Sequence, residues 1–133
     1  MPAAYLPDPR LVAIARECVE SLGEVRVVEG LIATGDVFMA CPNLVAQTRK
    51  RFPTMLAAEM EAAAIAQTCH LYDCPFVVIR ALSDIAGGGD NHLSFEEFLE
   101  VAATHSARMV EAMVARLAAL PDEARSEAVA DEA

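Results

Sequence analysis

The chain has 133 residues, 55% of them hydrophobic, with a mean hydropathy of +0.32, enough for one domain with a real core. Twenty acidic residues against ten basic ones give a net charge of −10. That argues against nucleic acid or an anionic membrane as a partner, because both reward clustered Lys and Arg.

No apolar run approaches the roughly 20 residues of a membrane helix. The start at Met1 has neither a basic n-region nor an apolar h-region, so no signal peptide is expected and a cytoplasmic protein is the default. The four cysteines, Cys18, Cys41, Cys69 and Cys74, make no CxxC and stand at no zinc-finger spacing. Cys69, His70 and Cys74 are read as packed thiols and a neighbour rather than metal ligands, since free Cys behaves as a small hydrophobe. All four are expected reduced.

In chain order, Asp8-Pro9 predicts a helix start, with Asp as N-cap and Pro at the first helical position. Leu11, Ile14, Ala15, Cys18, Val19 and Leu22 recur at helical spacing, and Gly23 suits the position past the end. Val25 to Thr34 reads as a β-branched strand, broken by Gly35-Asp36. Val37, Phe38 and Met39 lie just past its end, where Phe38 by default is a packing aromatic. Leu44 to Phe52 reads as a short basic helix whose Arg49, Lys50 and Arg51 form a solvated face.

Glu59 and Glu61 bracket Met60 where an extended approach, Met55 to Ala58, becomes an Ala-rich helix running to about Tyr72. Residues two apart on extended backbone share a side, so both carboxylates can face one pocket. A Glu at a helix start also suits the helix dipole with no further role. Cys74-Pro75 stops the helix. Phe76 to Ile79 is a short continuous apolar run, the pattern of a strand buried on both faces. It delivers Arg80, Ser83 and Asp84 to its C-terminal end, where open α/β sheets bind ligands.

Ala86 to Asn91 contains three consecutive glycines and reads as a mobile lid loop. It lacks the GK[ST] ending of a P-loop. Ser94 to Glu97 is a capping box, with Leu93 and Phe98 as its staple. Phe95, Phe98, Leu99, Ala102, Met109, Met113, Leu117 and Leu120 then line one face of a long helix that Pro121 stops. Residues 121–133 are acidic and read as a disordered tail. The stretch around Glu97 is not an EF-hand: with Glu97 at loop position 12, Ala86, Gly88 and Asn91 fall where oxygen ligands and the turn glycine belong. Alternation of helix and strand gives an α/β domain.

The stretch AEMEAAAIA, followed about twenty residues on by FVVIRALSD, resembles the purine nucleoside phosphorylase/nucleosidase superfamily. Gly30 to Met39, Arg51 to Pro53 and His92 to Leu99 resemble the branch that hydrolyses 5′-methylthioadenosine and S-adenosylhomocysteine. The resemblance covers about Leu6 to Leu120. It implies an α/β chain forming the C-terminal half of a nucleoside phosphorylase-like fold, a mixed sheet flanked by helices, with residues 1–120 as a partial domain.

The implied reaction is cleavage of the bond between adenine and a 5′-thioribose. By the resemblance, Phe38 stacks on the purine and the Met39 backbone meets the adenine edge. Ala40, Cys41 and Pro42 depart slightly from the family pattern. Asp84 is the general acid at adenine N7, oriented by Ser83. Glu61 holds the ribose hydroxyls, Met60 packs under the sugar, Glu59 and Arg80 organise the polar floor and the attacking water, and Phe95 closes the site. Asp84 can protonate a purine near neutral pH only if its pKa is raised above the usual ~3.9. The resemblance implies a small-molecule purine thionucleoside, a homodimer in the complete enzyme, no cofactor and no metal. The family's chain is roughly twice as long, so a chain lacking an N-terminal half is expected. A purine nucleoside phosphorylase, and a non-catalytic nucleoside-binding half-domain, are the alternatives.

Overall fold

A computed structural model describes residues 1–23, 27–39, 41–82 and 95–121, with the side chains of residues 95–99 and 101 outside the description. Six elements follow in order: α1 (Pro9–Leu22), β1 (Leu31–Thr34), α2 (Pro42–Arg51), β2 (Met55–Glu59), α3 (Ala62–Leu71) and α4 (Phe95–Ala118).

Helix α1 begins and ends as its sequence dictates. The Asp8 carboxylate accepts from the Arg10 and Leu11 amides at 2.7 and 3.3 Å, satisfying donors that the helix leaves free. The Arg10 side chain beside it holds the Asp8 carboxyl below its ordinary value against the opposing effect of burial. Gly23 takes φ 67°, the left-handed conformation of a helix C-cap.

The apolar face of α1 makes the core. Ile14, Ala15, Cys18 and Val19 pack against Met109 and Met113 of α4, with Leu22, Val77, Ala112, Leu117 and Leu120 around them. Arg116 of α4 reaches Glu17 of α1 at 3.2 Å across the same helix pair. The predicted apolar stripe of α4 is therefore observed from Ala102 onward. Phe95, Phe98 and Leu99 are helical, but their side chains lie outside the described residues. So do the capping box at Ser94, the glycine loop and the acidic tail beyond Pro121.

Strands β1 and β2 run parallel, with Ile32 opposite Ala57, Ala33 opposite Ala58 and Thr34 opposite Glu59. The register slips by one residue between Leu31 and Ile32, which leaves Leu56 outside the pairing. Gly30 sits close beside that slip: a Cβ there would stand 2.6 Å from Leu56 Cγ, so the exposed Leu56 side chain would have to move. A parallel pair needs a crossover connection, and α2 supplies it. Val45 is its buried residue, while Arg49, Lys50 and Arg51 are exposed in its last turn, where cations suit the dipole.

Three sequence expectations change. The predicted strand from Val25 shrinks to Leu31–Thr34, because β2 offers only five residues to pair with; residues 24–26 lie outside the description. Phe76 to Ile79 does not join the described sheet. A buried strand needs a hydrogen-bonded neighbour, and the Phe76 carbonyl instead accepts from the Asp8 amide at 2.8 Å. Phe76, Val77 and Val78 are half-buried and Ile79 is exposed. Of the cysteines, all free, only Cys18 is buried. Cys41 stands just ahead of α2 and Cys74 just beyond α3, at helix ends where the chain runs along the surface.

Candidate active site

The C-terminal edge of the parallel pair brings Thr34 and Glu59 face to face, and α3 starts three residues later. The first amides of a helix have no partner within it. Here strand ends supply them. Glu59 Oε2 accepts from the Glu61 and Ala62 amides at 2.9 and 2.8 Å. The Thr34 hydroxyl accepts from the Ala63 amide at 3.0 Å and donates to Glu59 Oε1. Glu61 occupies the N-cap position, yet its own side chain caps nothing.

Arg80 closes the cluster from the extended segment that follows α3. Its guanidinium donates to Glu59 Oε2 at 2.5 Å and also to Glu61 Oε2. The two carboxylates thus converge on one cation, although the strand ends at Glu59 and Glu61 sits at the α3 N-cap. They are not equivalent. The Glu59 side chain is 10% exposed and accepts hydrogen bonds at both oxygens, whereas the Glu61 side chain is 64% exposed.

Burial alone would raise the Glu59 carboxyl. The hydrogen bonds from Thr34, Arg80 and the Glu61 and Ala62 amides overcome it and hold the group at about 2, against an ordinary 4.5. Glu59 is consequently ionised at neutral pH and unsuited to donate a proton there. Because its pKa is depressed in the folded chain, its stabilising contribution is complete above pH 4.5 and is lost as pH falls toward about 2. The two carboxylates in turn raise the Arg80 pKa, with the Glu59 hydrogen bond the larger influence.

Phe38 lies four residues past β1, at the same C-terminal edge as Glu59, and its ring is 73% exposed. Met39 is half-buried, and its sulfur accepts from the Thr48 hydroxyl of α2 at 3.9 Å. Met60 is exposed between the two glutamates. Ser83 and Asp84 fall outside the described residues, as does the side chain of Phe95. The structure therefore joins Glu59, Glu61 and Arg80 by direct contact and sets Phe38, Met39 and Met60 at or near the same edge.

Thr34 escaped the sequence reading. A Thr ending a strand is unremarkable alone; only the parallel register that puts it opposite Glu59 reveals it. Replacing Thr34 by Val keeps the shape but removes both hydrogen bonds, and should destabilise the α3 start by about 1 kcal/mol. The same change should raise the Glu59 pKa, read by NMR titration of its carboxyl carbon. An unmoved titration would exclude Thr34 from holding Glu59.

An open groove of about 320 Å³ lies elsewhere, lined by Arg16, Glu20, Val27 and Glu29. None of the residues nominated above lines it, and Arg16 and Glu29 pair within it. Among the described residues, no three His, Cys, Asp or Glu side chains gather as metal ligands. No described helix is long and apolar enough to cross a membrane.

The chain belongs to the phosphorylase superfamily, whose family model matches residues 1–115. It is 74% identical over 117 residues to the 5′-methylthioadenosine/S-adenosylhomocysteine nucleosidase of Chromohalobacter salexigens, covering 88% of this chain and 49% of that one. Among solved structures, the nucleosidase of Colwellia psychrerythraea in complex with adenine superposes with a TM-score of 0.75 at 50% identity, over 86% of this chain and 47% of that one. The Neisseria meningitidis nucleosidase in complex with methylthio-immucillin-A gives 0.76 at 45% identity, over 86% and 49%. The α/β arrangement is that of the nucleoside phosphorylase-like fold. The chain spans about half the length of the curated relatives it matches.

Proposed function

We propose that this chain carries the adenine and ribose contacts of a nucleosidase that hydrolyses 5′-methylthioadenosine and S-adenosylhomocysteine. The observation that carries this reading is the 74% identity to a nucleosidase of that name. The adenine bound in the Colwellia structure supports the choice of base.

The chemistry divides between two groups of residues. A departing purine is a poor anion and must gain a proton as the glycosidic bond breaks. Asp84 supplies it at N7, with Ser83 orienting the carboxyl, Phe38 stacked on the base and the Met39 backbone at its edge. The ribose becomes cationic. Glu61, whose side chain is largely exposed, holds the ribose hydroxyls and stabilises that charge. Met60 lies under the sugar and Phe95 closes over it. Glu59, ionised at neutral pH and fixed from four sides, anchors Arg80 and orders the water on the sugar's far side. No metal or cofactor enters. The complete enzyme acts as a cytoplasmic homodimer in methionine salvage.

Phosphorolysis is disfavoured by charge. Arg80 is neutralised by two carboxylates, which leaves it ill suited to hold a phosphate dianion. The half-length match favours one second reading, a nucleoside-binding half-domain that needs further chain to react. Base identity tests the proposal: a complete enzyme carrying this sequence should release adenine from 5′-methylthioadenosine and no hypoxanthine from inosine. Equal release of both bases would overturn it.

A further inference from the structure

Helix α3 ends in a defined backbone arrangement that its neighbouring proline alone does not explain. Leu71 is the last helical residue and Tyr72 the C-cap. Asp73 follows at φ 48°, in the left-handed region that side chains other than glycine seldom enter. The Cys74 amide then donates to the Cys69 carbonyl at 2.8 Å. That bond, from the second residue past the cap to the third from the helix end, defines a Schellman motif. The side chains at those two positions are neighbours, and an apolar contact frequently accompanies the motif. Here both are cysteines and both are free thiols. Disulfides span α-carbons ~4.4–6.8 Å apart, a separation compatible with two residues whose amide and carbonyl are bonded directly.

We propose that Cys69 and Cys74 form a redox-active thiol pair, which closes to a disulfide on meeting a low-molecular-weight disulfide oxidant. Cys74 is exposed and Cys69 half-buried. Burial, and then the neighbouring Cys74, push the Cys69 thiol above its ordinary value. The Cys74 thiolate attacks one sulfur of the small disulfide, breaking its S–S bond and releasing one small thiolate. Cys69 gives up its proton, attacks the Cys74 sulfur and expels the second small thiolate. Two protein thiols are oxidised, one small disulfide is reduced to two thiols, and the two protein protons end on those thiols. The bridge ties the last turn of α3 to the segment that leads to Arg80. The Tyr5 ring already stands 5.5 Å from His70 in that turn. Oxidation thereby fixes the turn from which Arg80 sets out toward Glu59 and Glu61.

The test treats a complete enzyme carrying this sequence with oxidised glutathione, traps remaining thiols by alkylation and digests with trypsin. Residues 52–80 emerge as one peptide holding Cys69 and Cys74 and no other cysteine. The bridged peptide should be two hydrogens lighter than the reduced one. It should form about tenfold faster in buffer than in concentrated urea, because the folded turn raises the effective concentration of one thiol at the other. Cys41→Ser should leave the bridge intact, whereas Cys69→Ser and Cys74→Ser should each leave one glutathione on the surviving thiol. Two separately modified cysteines, linkage to Cys18 or Cys41, or equal rates in buffer and urea would overturn the proposal.

Discussion

Asp84→Asn, introduced into a complete enzyme carrying this sequence, should lower turnover by about two to four orders of magnitude, the usual share of a positioned general acid. Asn still hydrogen-bonds at N7 but has no proton to transfer to the leaving base. The Glu59–Arg80 cluster bears on the assignment. Glu59 is held ionised at about 2, and Glu61 is committed to the Arg80 guanidinium. A carboxyl held at about 2 does not suit an acid that must be protonated near neutral pH, so the role is proposed for Asp84 and not for Glu59. Steady-state turnover beside a far-UV spectrum separates loss of chemistry from loss of fold. Near-normal turnover would remove Asp84 from the role.

The second large effect concerns the 133-residue chain produced alone. It should be inactive as a nucleosidase and should associate. Among the described residues, the sheet has two strands, and a two-stranded sheet is marginal without further partners. No described side chain is fully buried. Phe38, Leu56, Ile65, Leu71, Tyr72, Val110 and Val114 are exposed, with Tyr72 at 79%. Open strand edges and apolar surface both drive association. Sedimentation and urea unfolding should show oligomers, aggregates or a loosely packed state. A monomer with sharp cooperative unfolding and enzyme-like adenine release would contradict this account.

Local chemistry made part of this fold legible in the sequence. Asp8, Pro9 and Gly23 carry their own instructions for the ends of α1, and the Met109 and Met113 spacing fixes which face of α4 enters the core. Glu59 and Glu61 were legible as a candidate pair, but the strand ends at Glu59 and Glu61 turns into the N-cap of α3, so it is Arg80 that joins them. Pairing was not legible. Phe76 to Ile79 has the composition of a buried strand, but a strand exists only with neighbours, and no described residue offers it a ladder. Thr34 was hidden for the same reason, because its partners lie 25 and 29 residues away and only the register finds them. The unequal roles of Glu59 and Glu61 likewise depend on which of them turns into the start of α3. The substrate roles given to Phe38, Met39, Glu59, Met60, Glu61, Arg80, Ser83, Asp84 and Phe95 rest on resemblance.

The central claim is hydrolysis rather than phosphorolysis, and the sugar product reads it directly. A complete enzyme carrying this sequence is given 5′-methylthioadenosine with and without phosphate, and the released sugar is identified. Free 5-methylthioribose, formed with adenine in equal amounts at a rate indifferent to phosphate, is the predicted result. A sugar 1-phosphate, with release that rises as phosphate is added, would contradict it.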